Sequence, residues 1–170
     1  MNTAYLILGG NKGNTLENLE QAVQLIAEKA GVIINKSDVF VTAAWGNTNQ
    51  PNFLNQVLCL QTPLSVIDLL NMAISIEQQL GRVRDQQKWA ERTMDIDILF
   101  YNDEIINTSD LTIPHPLLQE RKFVLVPMAQ LAPFLVHPVF KKNIETLLSE
   151  CTDKLEVVKF SRNKFVVNNK

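Results

Sequence analysis

Two aspartates, Asp95 and Asp97, stand two positions apart in the otherwise apolar run at residues 94–100. The alternation predicts a β-strand on which the apolar residues at even positions, from Met94 to Phe100, share one face and both aspartates the other. Their Cα atoms would lie ~6.6 Å apart, because a strand rises about 3.3 Å per residue. Neighbouring carboxylates repel each other, so we expect a cation to compensate them. Mg²⁺ is a suitable one, since it prefers oxygen ligands.

Basic side chains precede this strand at Arg82, Arg84, Lys88 and Arg92. Arginine suits phosphate because its planar guanidinium presents a fork of donors. Arginines beside a metal-binding carboxylate pair therefore predict a polyphosphate ligand. Ordinary alternatives stay open: paired strand carboxylates also occur on solvated sheet faces, and Arg84 and Lys88 also suit a charged surface loop. Trp89 lies in the same loop, where it suits either a lid or a small satellite core.

Aromatic and amide side chains around the predicted strand at residues 53–61 indicate a site for a planar ring. Phe53 and Asn55 share one face of that strand, and Thr42 and Trp45 come before it. An aromatic side chain can stack on a heterocycle, while an amide offers it both a donor and an acceptor. Core packing of Phe53 and a backbone hydrogen bond from Asn55 are the alternatives.

His115 lies between Pro114 and Pro116, with Arg121 and Phe123 a few residues further on. The flanking prolines stiffen the backbone around the histidine, which suits a structural hydrogen bond or a ligand contact. Arg121 and Phe123 would bring a cation and an aromatic ring close together.

The composition indicates one globular domain over residues 1–170, of which about residues 152–170 are the least securely interpreted. The chain is 46% hydrophobic, with a net charge of −2 and a pI of about 5.7, so no global basic footprint for nucleic acid is present. No apolar run approaches the ~20 residues that span a membrane, and the N-terminus lacks a signal-peptide pattern. We expect a cytoplasmic protein. A P-loop motif is absent, which disfavours that class of nucleotide-binding enzyme.

The elements that must position these residues follow from apolar periodicity and capping signals. Strands are predicted at residues 4–9, within 32–42, at 53–61 and over the acidic run. One helix is capped by Asn14 and ends near Gly31, and a second begins with Pro63 at its first position and ends at Gly81. Further helices are predicted at 123–131, with Pro127 in the first turn, and at 143–148. The order β-α-β-β-α-β predicts an α+β, ferredoxin-like sandwich. Its sheet would be mainly antiparallel, with helices on one face and long catalytic loops on the other.

From about residue 4 to at least residue 140, the chain resembles the 6-hydroxymethyl-7,8-dihydropterin pyrophosphokinases of folate biosynthesis. The most specific segment is WAERTMDIDIL at residues 89–99, followed by IPH at 113–115 and RKF at 121–123. Weaker support comes from GGN at 9–11, NFLN at 52–55 and EQQLGRVR at 77–84.

The resemblance implies transfer of the β,γ-pyrophosphoryl unit of MgATP to the pterin's hydroxymethyl oxygen, with release of AMP. It implies that Asp95 and Asp97 hold two Mg²⁺ ions. It also implies that Arg82 and Arg92 neutralise charge on the migrating group. It assigns ATP to Arg84, Trp89, Ile98, Thr112, His115 and Arg121, with Arg84 and Trp89 in a mobile lid. It assigns the pterin to Thr42, Trp45, Phe53, Asn55 and Phe123. We expect a monomer that has no nucleic-acid or membrane partner, with dihydropteroate synthase as a candidate functional neighbour.

Four positions depart from the family pattern: Ala90 replaces a usual glycine, Pro116 a tyrosine of some members, and Ala43 and Ala44 two prolines. None of them belongs to the acidic pair. Two rival interpretations stay open, a palm-like nucleotidyl enzyme or cyclase and a non-catalytic ferredoxin-like binding domain. The acidic pI disfavours nucleic-acid contacts of the first, and the second has no need of paired strand aspartates beside arginines.

Overall fold

The computed structural model describes residues 1–44, 49–82 and 91–162, and within them the chain alternates strands and helices. The elements, in chain order, are β1 (Asn2–Gly10), α1 (Thr15–Lys29), β2 (Val32–Lys36), β3 (Phe40–Thr42), β4 (Phe53–Thr62), α2 (Val66–Gln79), β5 (Asp95–Tyr101), β6 (Ile106–Asn107), β7 (Thr112–Ile113), a 3₁₀ helix (Leu118–Glu120), α3 (Lys122–Leu131), α4 (Ile144–Glu150) and β8 (Val157–Lys159). Among the helices in these ranges, none is both long and apolar enough to cross a membrane.

The main sheet has the strand order β5-β1-β4-β3-β8, and β2 also pairs with β4. Every one of these pairings is antiparallel, which confirms the predicted α+β class and its mainly antiparallel sheet. The region 32–42, predicted to contain one strand, forms two. They separate at Ser37, whose hydroxyl accepts a hydrogen bond from the Val57 N–H at 3.0 Å. In a continuous strand, a backbone carbonyl would accept from this N–H instead.

Helices cover both faces of the sheet, so the prediction of helices on one face alone was wrong. Helices α1 and α2 pack on one face through apolar residues that include Leu19, Ile26, Leu69 and Ile76. On the opposite face, α3 and α4 pack against the sheet through a second apolar cluster: Ile7, Val57, Leu99, Phe100, Leu118, Val124, Leu125, Met128, Ile144 and Leu147. The apolar residues on this face of the sheet and on α3 and α4 favour this packing, because without it they would be exposed to water.

Phe100 lies on the opposite face from Ile96 and Ile98, contrary to the simple alternation of β5. Tyr5 pairs with Phe100 but Leu6 pairs with Ile98, so Leu99 is an extra residue in the ladder. Such a bulge reverses the facing of the residues beyond it. Phe100 therefore joins the second apolar cluster, while the two aspartates keep their predicted face.

The start of α2 was also predicted wrongly, at Pro63 instead of Val66. Ser65 is the N-cap: its hydroxyl accepts from the Asp68 N–H at 3.2 Å and donates to the Asp68 carboxylate at 2.6 Å. Residue 62 cannot serve as the cap, because its hydroxyl is used elsewhere. Helix α3 likewise begins at Lys122, which places Pro127 in the interior of the helix and not in its first turn.

The Thr62 hydroxyl, at the end of β4, makes a hydrogen bond to the C-terminal end of α1. We expect Thr62→Val to lower the free energy of unfolding by about 1–3 kcal/mol. This fully buried hydroxyl donates to the Ala30 carbonyl, the C-cap of α1, and accepts from the Leu64 N–H. Valine has nearly the same shape but leaves both backbone groups without this partner. Urea unfolding measures the difference. Thr15→Val, which loses an exposed 3.4 Å bond, should cost under about 0.5 kcal/mol, and equal losses would contradict the argument.

Candidate functional site

The site is built on a row of residues that crosses three strands. Gly9 of β1 pairs with Asp95 on one side and with Asn55 on the other. A Cβ atom on Gly9 would lie 2.5 Å from the Asn55 Oδ1, so a larger residue here would displace the Asn55 amide. The missing side chain leaves an open space above the centre of the row.

This open space is a cleft of about 160 Å³. Its walls contain many of the predicted site residues, brought together from separate parts of the chain: Phe53, Asn55, Arg92, Asp95, Asp97, Arg121 and Phe123. Ile7 and Gly9 complete the lining. The Arg121 guanidinium carbon lies 5.8 Å from the centre of the Phe123 ring, so the cation and ring expected there are close to each other.

A second cavity of about 250 Å³ also includes Asp97 in its lining and lies between β5 and the segment 108–116, which contains β7. It is lined by Ile98, Thr112 and His115 of the predicted set, together with Leu70, Ile96, Thr108, Ser109, Asp110, Leu111 and Pro116. Asp97 lines both cavities. A ligand in each cavity would therefore meet the other at this carboxylate.

Thr42 stands behind the cleft and is not in its lining. It is buried, and its hydroxyl accepts a 2.8 Å hydrogen bond from the Asn55 Nδ2. This bond fixes the rotation of the Asn55 amide. Three further residues predicted for the site, Trp45, Arg84 and Trp89, lie outside the described residues.

Arginine side chains neutralise Asp95. Arg82 and Arg92 each place a guanidinium nitrogen on a different oxygen of the Asp95 carboxylate. Arg82 also contacts the Glu77 carboxylate at 2.6 Å, and the same Glu77 oxygen accepts the Ile96 N–H at 2.7 Å. Glu77 thus ties α2 to β5 behind the acidic pair.

Glu77 was not among the predicted site residues, although the sequence carries a signal for it. It stands four residues after Ala73, which places it on the apolar face of α2. A carboxylate on a buried face requires partners, and its side chain is only 5% exposed. A buried acid at a helical apolar position is thus the pattern that could have identified it.

The three neighbouring carboxyl groups differ sharply in their protonation. Burial would raise the pKa of Asp95, but the guanidinium charges of Arg82 and Arg92 hold it below its ordinary value. Burial and the charge of Asp95 raise the pKa of Asp97 to about 7. Burial also raises the pKa of Glu77 to about 7. Near pH 7, Asp95 is therefore ionised, whereas Asp97 and Glu77 each exchange a proton with solvent.

The donor set fits Mg²⁺. Asp95 and Asp97 offer only oxygen atoms and share one strand face, and a cation at Asp97 would offset the burial and the repulsion by Asp95 that raise its pKa. Within the described ranges, no group of three or more His, Cys, Asp or Glu side chains is arranged to hold a metal. Mg²⁺ commonly binds through one or two carboxylates and takes its other ligands from phosphate and water.

His115 is held as a neutral imidazole. Its backbone N–H donates to the Leu99 carbonyl at 3.0 Å, and its Nδ1 accepts from the Leu117 N–H at 3.3 Å. Burial, reinforced by the charge of Arg121, lowers the pKa of His115 to about 4. An unprotonated Nδ1 agrees with both observations.

We expect the fold to lose stability on acidification through His115, and His115→Gln to remove that loss. The folded-state pKa of about 4 lies below the ordinary value of 6.5. The stability that the neutral histidine contributes is therefore complete above pH 6.5 and is lost as the pH falls towards 4. After allowance for partial exposure, this loss is about 2 kcal/mol in the free energy of unfolding. Urea unfolding of both proteins between pH 7 and 4 gives the difference. Parallel stability curves would contradict the prediction.

In a comparison with known proteins, residues 5–133 match the family model of 7,8-dihydro-6-hydroxymethylpterin-pyrophosphokinase. A 2-amino-4-hydroxy-6-hydroxymethyldihydropteridine pyrophosphokinase of Aquifex aeolicus is 38% identical, over 91% of this chain and 95% of that protein. The protein of that name from Bacillus subtilis is 41% identical, over 76% of this chain and 78% of its own length.

Solved structures with a similar fold include the wild-type HPPK-DHPS of Plasmodium falciparum. The TM-score is 0.71 at 19% sequence identity, and the match covers 88% of this chain but 43% of that chain. The chain thus spans less than half of that longer protein. At this identity the likeness shows the fold alone.

Proposed function

Since the chain belongs to the 7,8-dihydro-6-hydroxymethylpterin-pyrophosphokinase family, we propose that it transfers pyrophosphate from ATP to 6-hydroxymethyl-7,8-dihydropterin in folate biosynthesis. The hydroxymethyl oxygen forms a bond to the β-phosphorus, and the bond from that phosphorus to the oxygen of the α-phosphate breaks. AMP leaves, and the hydroxyl proton is released. The observation that carries the proposal is that Asp97 lines two cavities, which supports a reaction between two ligands bound on either side of it.

The cleft with Phe53 and Phe123 is the proposed pterin site. Both rings line it, and a planar heterocycle would stack between them. Asn55 lies in the same lining with its amide rotation fixed by Thr42, so it can present its Oδ1 to a donor on the ring edge. Trp45 belongs to this proposed site through the resemblance.

The second cavity is the proposed site for the nucleotide. Ile98 and Thr112 line it and would contact the adenine, and His115 lies at its wall as a neutral hydrogen-bonding group. Arg121, on the cleft side of Asp97, would bind phosphate oxygens through its guanidinium. Arg84 and Trp89 are proposed lid residues over this ligand.

Asp95 and Asp97 are the proposed holders of Mg²⁺, with two ions shared with the triphosphate. Bound Mg²⁺ would screen the phosphate charge and favour ionisation of the attacking hydroxyl. A cation at Asp95 competes with Arg82 and Arg92 for its oxygens. Arginines displaced from the carboxylate would be free to neutralise charge on the migrating pyrophosphoryl group.

We further propose that the sheet is ferredoxin-like, with β2 and β3 together in the place of one strand. The order β5-β1-β4 followed by β2 and β3, all antiparallel, supports this. A monomeric, cytoplasmic enzyme remains the proposal for assembly and location. Dihydropteroate synthase remains the proposed functional neighbour, and the similar solved chains that are named HPPK-DHPS support it.

The direct test is to incubate the protein with MgATP and 6-hydroxymethyl-7,8-dihydropterin and to identify the nucleotide product. AMP that forms only when the pterin is present is the expected result. ADP would mean transfer of a single phosphoryl group and would overturn the reaction. Absence of turnover, with ATP still bound, would show that the acceptor is a different molecule.

A further inference from the structure

Asn11, the residue that follows β1, connects two segments that are far apart in the sequence, residues 50–51 and Arg92. It is 4% exposed. Its backbone N–H donates to the Arg92 carbonyl at 3.0 Å, and its side-chain Oδ1 accepts from the Arg92 N–H at 3.0 Å. Its Nδ2 donates to the Pro51 carbonyl at 3.2 Å and to the Gln50 Oε1 at 3.3 Å.

Each of the connected segments leads directly into the proposed chemistry. Arg92 contacts the Asp95 carboxylate and lines the cleft. Pro51 comes two residues before Phe53, which lines the same cleft. A shift of the 50–53 segment on the entry of a ring would therefore be transmitted through one buried amide to the backbone of Arg92.

The backbone around Arg92 packs directly against the end of β1, which makes this connection stiff. A Cβ atom on Gly10 would lie 2.4 Å from the Thr93 carbonyl oxygen and 3.3 Å from that of Arg92. No side chain separates the two strands of backbone at this point. A shift of the Arg92 backbone would therefore press on residues 10 and 11.

We propose that Asn11 is a positioning residue that couples occupation of the pterin cleft to the position of the Arg92 guanidinium. The inference rests on the proposed function. It explains the residue type, because the position needs an acceptor for the Arg92 N–H and a donor for two oxygen acceptors at once. Among the side chains of this size, only asparagine supplies both.

The connection can be cut one arm at a time. Asn11→Asp keeps an acceptor for the Arg92 N–H but sets a carboxylate against the oxygens of Gln50 and Pro51. Asn11→Ala removes both side-chain arms and leaves the backbone bond to Arg92. Asn18→Ala is the matched control, since Asn18 lies in the same region and its Nδ2 only spans a 3.3 Å contact to the Lys12 carbonyl.

A kinetic double-mutant cycle between Asn11 and Arg92 tests the proposal. We expect Asn11→Ala to lower kcat by roughly 10- to 100-fold, with each KM changed less than about threefold, because misplacement by about 1 Å can cost this much. Arg92→Ala alone should lower kcat by roughly 100-fold or more. If Asn11 acts through Arg92, the double variant should be no slower than Arg92→Ala, and Asn11→Asp should lose activity as Asn11→Ala does.

The outcomes separate this inference from the proposed function. Multiplied kcat effects in the double variant, or an Asn11→Ala effect confined to KM, would overturn the coupling while the reaction stands. An Asn11→Asp protein with wild-type kcat would show that the contact with residues 50 and 51 does not affect turnover, which would also overturn the coupling. Thermal unfolding of each variant identifies any loss that comes from misfolding. A wild-type chain that forms no AMP would overturn the proposed function, and this inference with it.

Discussion

Asp97→Asn is expected to abolish pyrophosphoryl transfer, by at least about 1000-fold in kcat, while it makes the ligand-free protein more stable above pH 7. The loss follows because Asp97 lines both cavities and is a proposed Mg²⁺ ligand. The gain follows because the ionised carboxylate is partly buried beside Asp95, which raises its pKa to about 7. The neutral amide removes that repulsion, so the melting temperature at pH 8 should rise by about 3 °C or more.

The gain in stability must depend on pH in one direction. The folded-state pKa of Asp97, about 7, exceeds the ordinary value of 3.8, so the folded protein binds the extra proton between these values. The destabilisation is complete above pH 7 and disappears as the pH falls towards 4. The melting curves of wild type and Asp97→Asn should therefore converge on acidification.

Asp103→Asn is the control for a general effect of removing charge, because Asp103 lies exposed in the turn after β5. It should change neither kcat nor the melting temperature appreciably. In the presence of MgATP, the wild type should gain stability and Asp97→Asn should gain much less. An Asp97→Asn protein that turns over normally in Mg²⁺ would refute the metal-binding role. One that melts below wild type at pH 8 would refute the electrostatic argument.

Local signals in the sequence predicted those parts of the fold that local interactions determine. The Asn14 cap of α1 is confirmed, because the side chain and backbone of Glu17 lie within its reach. Pro63 misled the prediction of α2, since proline is compatible with the first helical position but does not require a helix there. The bulge at Leu99 has no local signal, because it depends on the register between β1 and β5.

The site was predictable to the extent that side-chain alternation sets a common face. Alternation predicted that Asp95 shares a strand face with Asp97, and Phe53 with Asn55. That both pairs line one cleft follows only from the packing of the sheet. Asn11 lies 81 residues from its partner Arg92, and such a contact follows only from the packed sheet. Glu77 was partly predictable from the sequence. Its position on the apolar face of α2 shows that it is buried, but not which residues it contacts.

Arg82→Ala and Arg92→Ala should both lower kcat far more than they raise the KM for ATP, by roughly 100- to 1000-fold in kcat. The charge that they are proposed to neutralise develops on the migrating group, so the bound substrate gains less from them than the transition state. Of these two arginines, Arg82 alone contacts two carboxylates, the buried Glu77 and the half-buried Asp95. Arg82→Ala should therefore also destabilise the fold, by roughly 2–3 kcal/mol, and Arg92→Ala by less.

A second substitution separates these two roles of Arg82. Glu77→Gln in the Arg82→Ala background removes one of the carboxylates left without a cation, and its amide oxygen can still accept the Ile96 N–H. Stability in urea should then recover by at least about 1 kcal/mol, because a neutral amide costs less to bury than a charge. The kcat should stay low, because no guanidinium has been returned to the phosphate path. Recovery of kcat together with stability would mean that Arg82 only supports the fold.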